Sequence, residues 1–175
     1  MKKILYVIFF FLTTAMTAMA EEHMEFMGIS MGMSVDDFTA ALKEKGYTLS
    51  PESAKAPKGK RLMKGDFNGG AVTLVLNYGV HTMQMTSLDL RFPQEKEFSN
   101  FLNFYEAMKR VVTEQYCTEG EVINETGDMQ TLPKYGMKMD YGTVTVSVDP
   151  DKAFTLVLTY TDQYNTIEER KLRYD

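Results

Sequence analysis

Three stretches of this chain alternate apolar and polar residues with a period of two, and they constrain the fold more than any other feature. In "AVTLVL", residues 71–76, Val72, Leu74 and Leu76 point one way. In "TVTVSV", residues 143–148, Val144, Val146 and Val148 point inward while Thr143, Thr145 and Ser147 point out. In "FTLVLTY", residues 154–160, Phe154, Leu156, Leu158 and Tyr160 share a face. Successive side chains of a strand project to opposite faces, so this pattern describes half-buried antiparallel strands. Asn68-Gly69 in "FNGGA" is a tight-hairpin signal, and "NYGV" and "DPDK" supply further reversals.

Elsewhere the period lengthens to that of a helix. Ser34 precedes "VDDFTAALKEKG" with Asp37 three residues on, an approximate capping box. Asp36 and Asp37 suit the positive end of the helix dipole, Lys43 and Lys45 the negative end, and Gly46 offers a left-handed stop. Val35, Phe38 and Leu42 mark its apolar face. A second helix is expected from about Glu95 to Tyr116, with Phe98, Phe101, Leu102, Tyr105, Met108 and Val112 as a buried stripe. The polar "PESAKAPKGK", Pro51 to Lys60, reads as a loop.

The order of elements repeats. Met63-Lys64-Gly65-Asp66-Phe67, followed by glycine and Val72-Thr73-Leu74, returns as Met137-Lys138-Met139-Asp140-Tyr141, then Gly142 and Val144-Thr145-Val146. The expected fold is α+β: two tandem units, about 26–92 and 94–162, each a helix followed by a three-stranded meander. Together they form one antiparallel sheet with the helices on one face and a helical tail at 163–175. One segment resists a single register. His81, Met83 and Met85 have odd parity, Leu88, Leu90 and Phe92 even, so a bulge is expected near Thr86-Ser87.

The first twenty residues read as an export signal. Lys2 and Lys3 precede the apolar run Ile4 to Leu12, and Ala18 and Ala20 form a small-residue cleavage site. The expected mature chain begins at Glu21 and forms a single domain over 21–175, in the periplasm or outside the cell. Loss of Lys2 and Lys3 leaves 17 basic residues against 24 acidic, a net of −7, which disfavours nucleic acid as a partner. No later stretch is apolar and long enough for a membrane span. Cys117 is the only cysteine, which excludes an internal disulfide, and its place at the end of the second helix predicts burial.

This architecture resembles that of the secreted beta-lactamase inhibitor proteins and of the related small outer-membrane assembly lipoproteins. "MGMSVDDFTAALKEKGY" is similar to the way their units open, with a strand leading into a capped helix. It also resembles the start of many small exported bacterial proteins of unassigned role. The resemblance implies a tandem helix-plus-sheet fold and carries no binding residue over.

No G-x-S-x-G elbow, P-loop, H-E-x-x-H or C-x-x-C occurs, and the acids sit in caps, turns and, at Glu168 and Glu169, a polar tail. The expectation is therefore a non-enzymatic module without a cofactor, recognising a protein or peptide of the cell envelope through an open sheet face. His81, Met83 and Met85 are its candidate binding residues, on the premise of a regular strand. The alternative is copper. A mature terminus Glu21-Glu22-His23 could chelate Cu(II) through its amine, two amides and the imidazole, and Met24, Met27, Met31 and Met33 could offer thioethers to Cu(I). The competing reading of Met27, Ile29, Met31 and Met33 is a first strand whose alternating residues face the core.

Overall fold

Val144 pairs with Tyr160, which pairs in turn with Leu88, and Leu88 with Leu76. All four side chains are buried, so one row of the period-two pattern crosses four strands on a single face. The computed structural model describes residues 22–125 and 134–174. The expected signal segment and Glu21 lie outside the described residues.

The chain opens with a hairpin of β1 (Glu25–Phe26) and β2 (Ile29–Ser30), followed by helix α1 (Val35–Glu44). Strand β3 (Thr48–Leu49) and a 3-10 turn (Pro51–Lys55) lead to β4 (Lys60–Phe67), β5 (Gly70–Tyr78) and β6 (Met85–Arg91). Helix α2 (Phe98–Tyr116) then precedes β7 (Glu121–Glu125), β8 (Lys134–Met139), β9 (Gly142–Val148) and β10 (Leu156–Asp162), and α3 (Gln163–Tyr174) closes the chain. The structure is α+β, with an eight-stranded sheet in the order β3-β4-β5-β6-β10-β9-β8-β7 and every neighbour antiparallel. One hydrophobic cluster joins Phe38 and Leu42 of α1, Phe101, Tyr105 and Val112 of α2, and Met63, Leu74, Leu90, Leu158 and Val146 of the sheet. Among the described residues no helix is long and apolar enough to cross a membrane.

Several local expectations hold for the reasons given. The Ser34 hydroxyl accepts from the Asp37 amide at 3.2 Å and donates to the Asp37 carboxylate at 2.7 Å, and Gly46 has φ of 92° beyond the helix end. Asn68 and Gly69, both at positive φ, turn β4 into β5 as a tight hairpin requires. The bulge is present. Asn77 pairs with Ser87 but Tyr78 with Met85, so Thr86 is the extra residue, and Met85 and Leu88 are both buried.

Other expectations need correction. The methionine segment does not form one strand: the chain reverses at Met27 and Gly28, with φ of 54° and 72°. A two-residue turn of this hand demands positive φ at both central positions. The buried set is therefore Met24, Phe26, Ile29 and Met31, while Met27 is 43% exposed. On α2 the buried stripe is Phe101, Tyr105, Met108, Val112 and Tyr116, while Phe98, at the first turn, is 60% exposed and Leu102 43%. One residue past Phe101, Leu102 sits about 100° round the helix, outside this narrower stripe. Leu102→Ala should consequently cost under about 1 kcal/mol in urea unfolding, against about 2–3 kcal/mol for the fully buried Val144→Ala. Tyr116 takes the buried place at the helix end, and Cys117 is exposed.

The C-terminal helix is not a polar tail. Asn165 and Glu169, four residues apart and so on one face, are buried. The Glu169 carboxylate accepts from the backbone amides of Val80, His81 and Thr82 and from the Thr82 hydroxyl, at 3.0 to 3.4 Å. Burial alone would raise its pKa. The hydrogen bonds from Thr82 and His81, with the His81 charge, outweigh that and hold it below the usual carboxylate range. A depressed folded-state value adds stability that is present above the ordinary glutamate range and lost as pH falls through the depressed value. Glu169→Gln should therefore be less stable than the parent near pH 7. The gap should narrow as urea unfolding is repeated below about pH 4.

Candidate functional site

Parity divides the sheet into two sets of side chains. The set opposite the core cluster runs Leu62, Val75, Asp89, Thr159 and Thr145 in one row. Lys64, Thr73, Arg91, Val157, Ser147 and Lys134 form the next. Val75 and Val157 are buried yet lie outside the main hydrophobic cluster. At one end of these rows is a cleft of about 630 Å³, bordered by Lys64, Thr73, Arg91, Asp149, Lys152 and Thr155. The 3-10 turn flanks it through Glu52, and the Ser53 hydroxyl holds the Leu62 amide at 3.1 Å.

The "DPDK" turn places Asp149 there. Its amide donates to the Thr155 carbonyl at 2.8 Å, and its Oδ1 accepts from the Asp151 amide at 2.9 Å. These bonds fold the β9–β10 connection and leave Oδ2 facing Arg91, whose Nη1 is 3.3 Å away. Asp149 is 2% and Thr155 3% exposed. Among the described residues, Asp149 Oδ2, Arg91 Nε and Thr155 Oγ1 are buried without a hydrogen-bond partner. Asp149 Oδ2 keeps its ion pair with Arg91, whereas Arg91 Nε and Thr155 Oγ1 are two buried polar atoms open to a partner, and leaving such an atom unpaired costs on the order of 1–3 kcal/mol.

His81, Met83 and Met85 are not brought together as a binding row. His81 and Met83 lie in the reversal between β5 and β6, where Met83 has φ of 58° and is 42% exposed. Met85, the first residue of β6, is fully buried. The bulge that rescues the register also sends Met85 into the core, and the His81 amide is tied to Glu169.

The copper residues are likewise dispersed. His23 Nδ1 donates to Asp162 Oδ2 at 3.0 Å, and the same oxygen accepts from the Met24 amide at 3.0 Å. Gly32 leaves room for the ring, since a Cβ there would come within 2.5 Å of it. A chelate closed from the backbone uses this same imidazole nitrogen, so the fold engages the ligand atom that Cu(II) would need. Met24 and Met31 are buried in the core, Met33 is half-buried, and the Met27 sulfur lies 3.6 Å from the Tyr47 hydroxyl. Glu22 is exposed. Among the described residues no group of three or more His, Cys, Asp and Glu side chains could hold a metal ion.

A second cleft, of about 640 Å³, is bordered by Glu22, Glu25, Glu119, Tyr116 and Tyr141. The Tyr141 hydroxyl donates to Glu119 at 2.6 Å, and burial, followed by that bond and the Glu119 charge, pushes its pKa up. Tyr47, Tyr105, Tyr116 and Tyr160 are also raised, in each case chiefly by burial. These displacements, like that of Glu169, lead away from neutrality, the opposite of what proton transfer at pH 7 requires.

No motif in the sequence marks Arg91, Asp149 and Thr155 as site residues. The available signal was parity. Asp149 continues the outward set of Thr143, Thr145 and Ser147, and Arg91 is out of step with the buried Leu88 and Leu90. No family model, no curated protein and no solved structure matches the chain.

Proposed function

We propose that this chain is an exported, non-enzymatic module that holds a polypeptide against the sheet face carrying Arg91 and Asp149. The observation that carries this reading is the group of buried, unpartnered polar atoms at the edge of that face. A bound segment offers amide donors and carbonyl or side-chain acceptors for them. The outward displacement of the perturbed tyrosines and Glu169 supports binding over proton-transfer chemistry. Export rests on Lys2, Lys3, the Ile4 to Leu12 run and the Ala18-x-Ala20 site, which place the start of the mature form at Glu21.

The tandem reading belongs to the same proposal. Each half runs helix, then strands, and the last strands of the halves, β6 and β10, pair at the middle of the sheet. Two units joined in this way give one broad face, long enough for an extended segment.

Retention of a partner tests the function. The mature protein, immobilised, is exposed to the envelope fraction of its own cell beside two variants of confirmed fold. Thr73→Glu, on the proposed face, should lose the retained polypeptide, and Glu114→Arg, on the exposed side of α2, should keep it. Equal retention by both variants would remove the reading.

A further inference from the structure

We infer, on the reading that this face holds a polypeptide, that the cleft beside Arg91 receives an acidic side chain of the bound segment, its carboxylate between Arg91 and Lys152. Three cations border the cleft, Lys64, Arg91 and Lys152, against two anions, Glu52 and Asp149. Asp149 is matched by Arg91 at 3.3 Å, and its other oxygen is occupied by the Asp151 amide. Glu52 stands 3.8 Å from Lys64 with both side chains largely in solvent. Among the described residues the Lys152 ammonium has no ion-pair partner. One positive charge is left over, on a chain whose overall balance is −5. The cleft is thus a local positive spot on an acidic protein, and one carboxylate neutralises it.

The donor geometry fits the same ligand. Among the described residues Arg91 pairs with Asp149 through Nη1, its Nε has no hydrogen-bond partner, and no hydrogen bond is recorded at Nη2. Those two N–H groups form one edge of the guanidinium, a fork that matches the two oxygens of a carboxylate. The Arg91 side chain is 36% exposed, while its Nε is buried at the edge of the cleft. The unpartnered Thr155 hydroxyl is a further donor. Leu62, Val75 and Phe92 provide apolar wall for the methylene stem that carries an acidic group. A cation would meet the surplus charge of Lys152, and an uncharged apolar side chain would leave the Arg91 and Thr155 donors unpaired.

The test uses two short peptides, acetyl-Val-Glu-Leu-Glu-Val-amide and its counterpart with glutamine at both glutamates, blocked so that side chains hold the only carboxylates. Each is titrated into the nitrogen-15-labelled mature protein while backbone amide shifts are followed. The glutamate peptide should move the amides of Thr73, Arg91, Lys152 and Thr155, and bind about fivefold or more tightly than the glutamine peptide. Lys152→Gln, a change at an exposed side chain, should remove most of that preference, as should raising salt from about 50 to about 500 mM. Equal shifts from both peptides at these amides would overturn the carboxylate inference and leave the polypeptide reading standing. Shifts confined to the second cleft, or no shifts with either peptide, would also overturn it, and the retention experiment then decides the function separately.

Discussion

Asp162→Ala is expected to destabilise the protein by about 3–5 kcal/mol. Asp162 is fully buried at the end of β10, and its carboxylate joins three parts of the chain. Oδ2 accepts from His23 Nδ1 and the Met24 amide, which anchors the N-terminal hairpin, and Oδ1 accepts from the Asn165 amide at 2.9 Å. The last bond caps the first turn of α3, a role worth about 1 kcal/mol by itself. Alanine would leave the buried Met24 amide without a partner and the half-buried His23 Nδ1 without its acceptor. Asp162→Asn keeps the volume and one acceptor oxygen, and should lose roughly half as much. Urea unfolding with an unchanged slope would give both values directly.

Arg91→Met should cost about 3 kcal/mol, and the reason is the group it leaves behind. Asp149 has almost no contact with solvent, and Arg91 is the cation beside it. Removal of the guanidinium strands a buried carboxylate, which costs more than the ion pair itself contributes. Adding Asp149→Asn to Arg91→Met should therefore recover most of the loss, since the amide still accepts from Asp151 at Oδ1 and carries no charge. That non-additivity, read from a double-mutant cycle, separates the stability of the pair from its proposed part in binding. The double variant should be folded and still fail to prefer the glutamate peptide.

The strands and helices of this protein were legible because their residues carry the period of the structure they form. Val144 and Val146, Leu74 and Leu76, Phe38 and Leu42 are buried as the spacing requires. The Thr86 bulge is legible in the sequence, because two parities cannot share one face without an extra residue. The expectations that failed depended on features that periodicity does not encode. Alternating methionines look like a strand whether or not the chain turns midway, and the Met27-Gly28 reversal breaks the row. Leu102 and Cys117 lie one position off the α2 stripe, where the neighbouring sheet decides which residue is covered.

Charged residues were harder to read for a different reason. Glu169 looks like one of two acids on a solvated tail, but its partners are amides of residues 80–82, nearly ninety positions earlier. Asp149 looks like a turn acid, and it is one through Oδ1, while Oδ2 meets an arginine on a strand that is distant in sequence. Only the sheet order, with β6 and β10 side by side, brings Arg91 near the β9–β10 turn. A pairing of that kind is a property of topology, and local spacing holds no trace of it.

The central claim, that the Arg91–Asp149 face holds a polypeptide, is tested most directly by photo-crosslinking in the cell that makes the protein. A benzophenone amino acid at Thr73, inside the proposed face, should capture a polypeptide on irradiation. The same group at Glu114, on the exposed side of α2, should capture none. Capture from Glu114 and not from Thr73, or from neither position, would contradict the account.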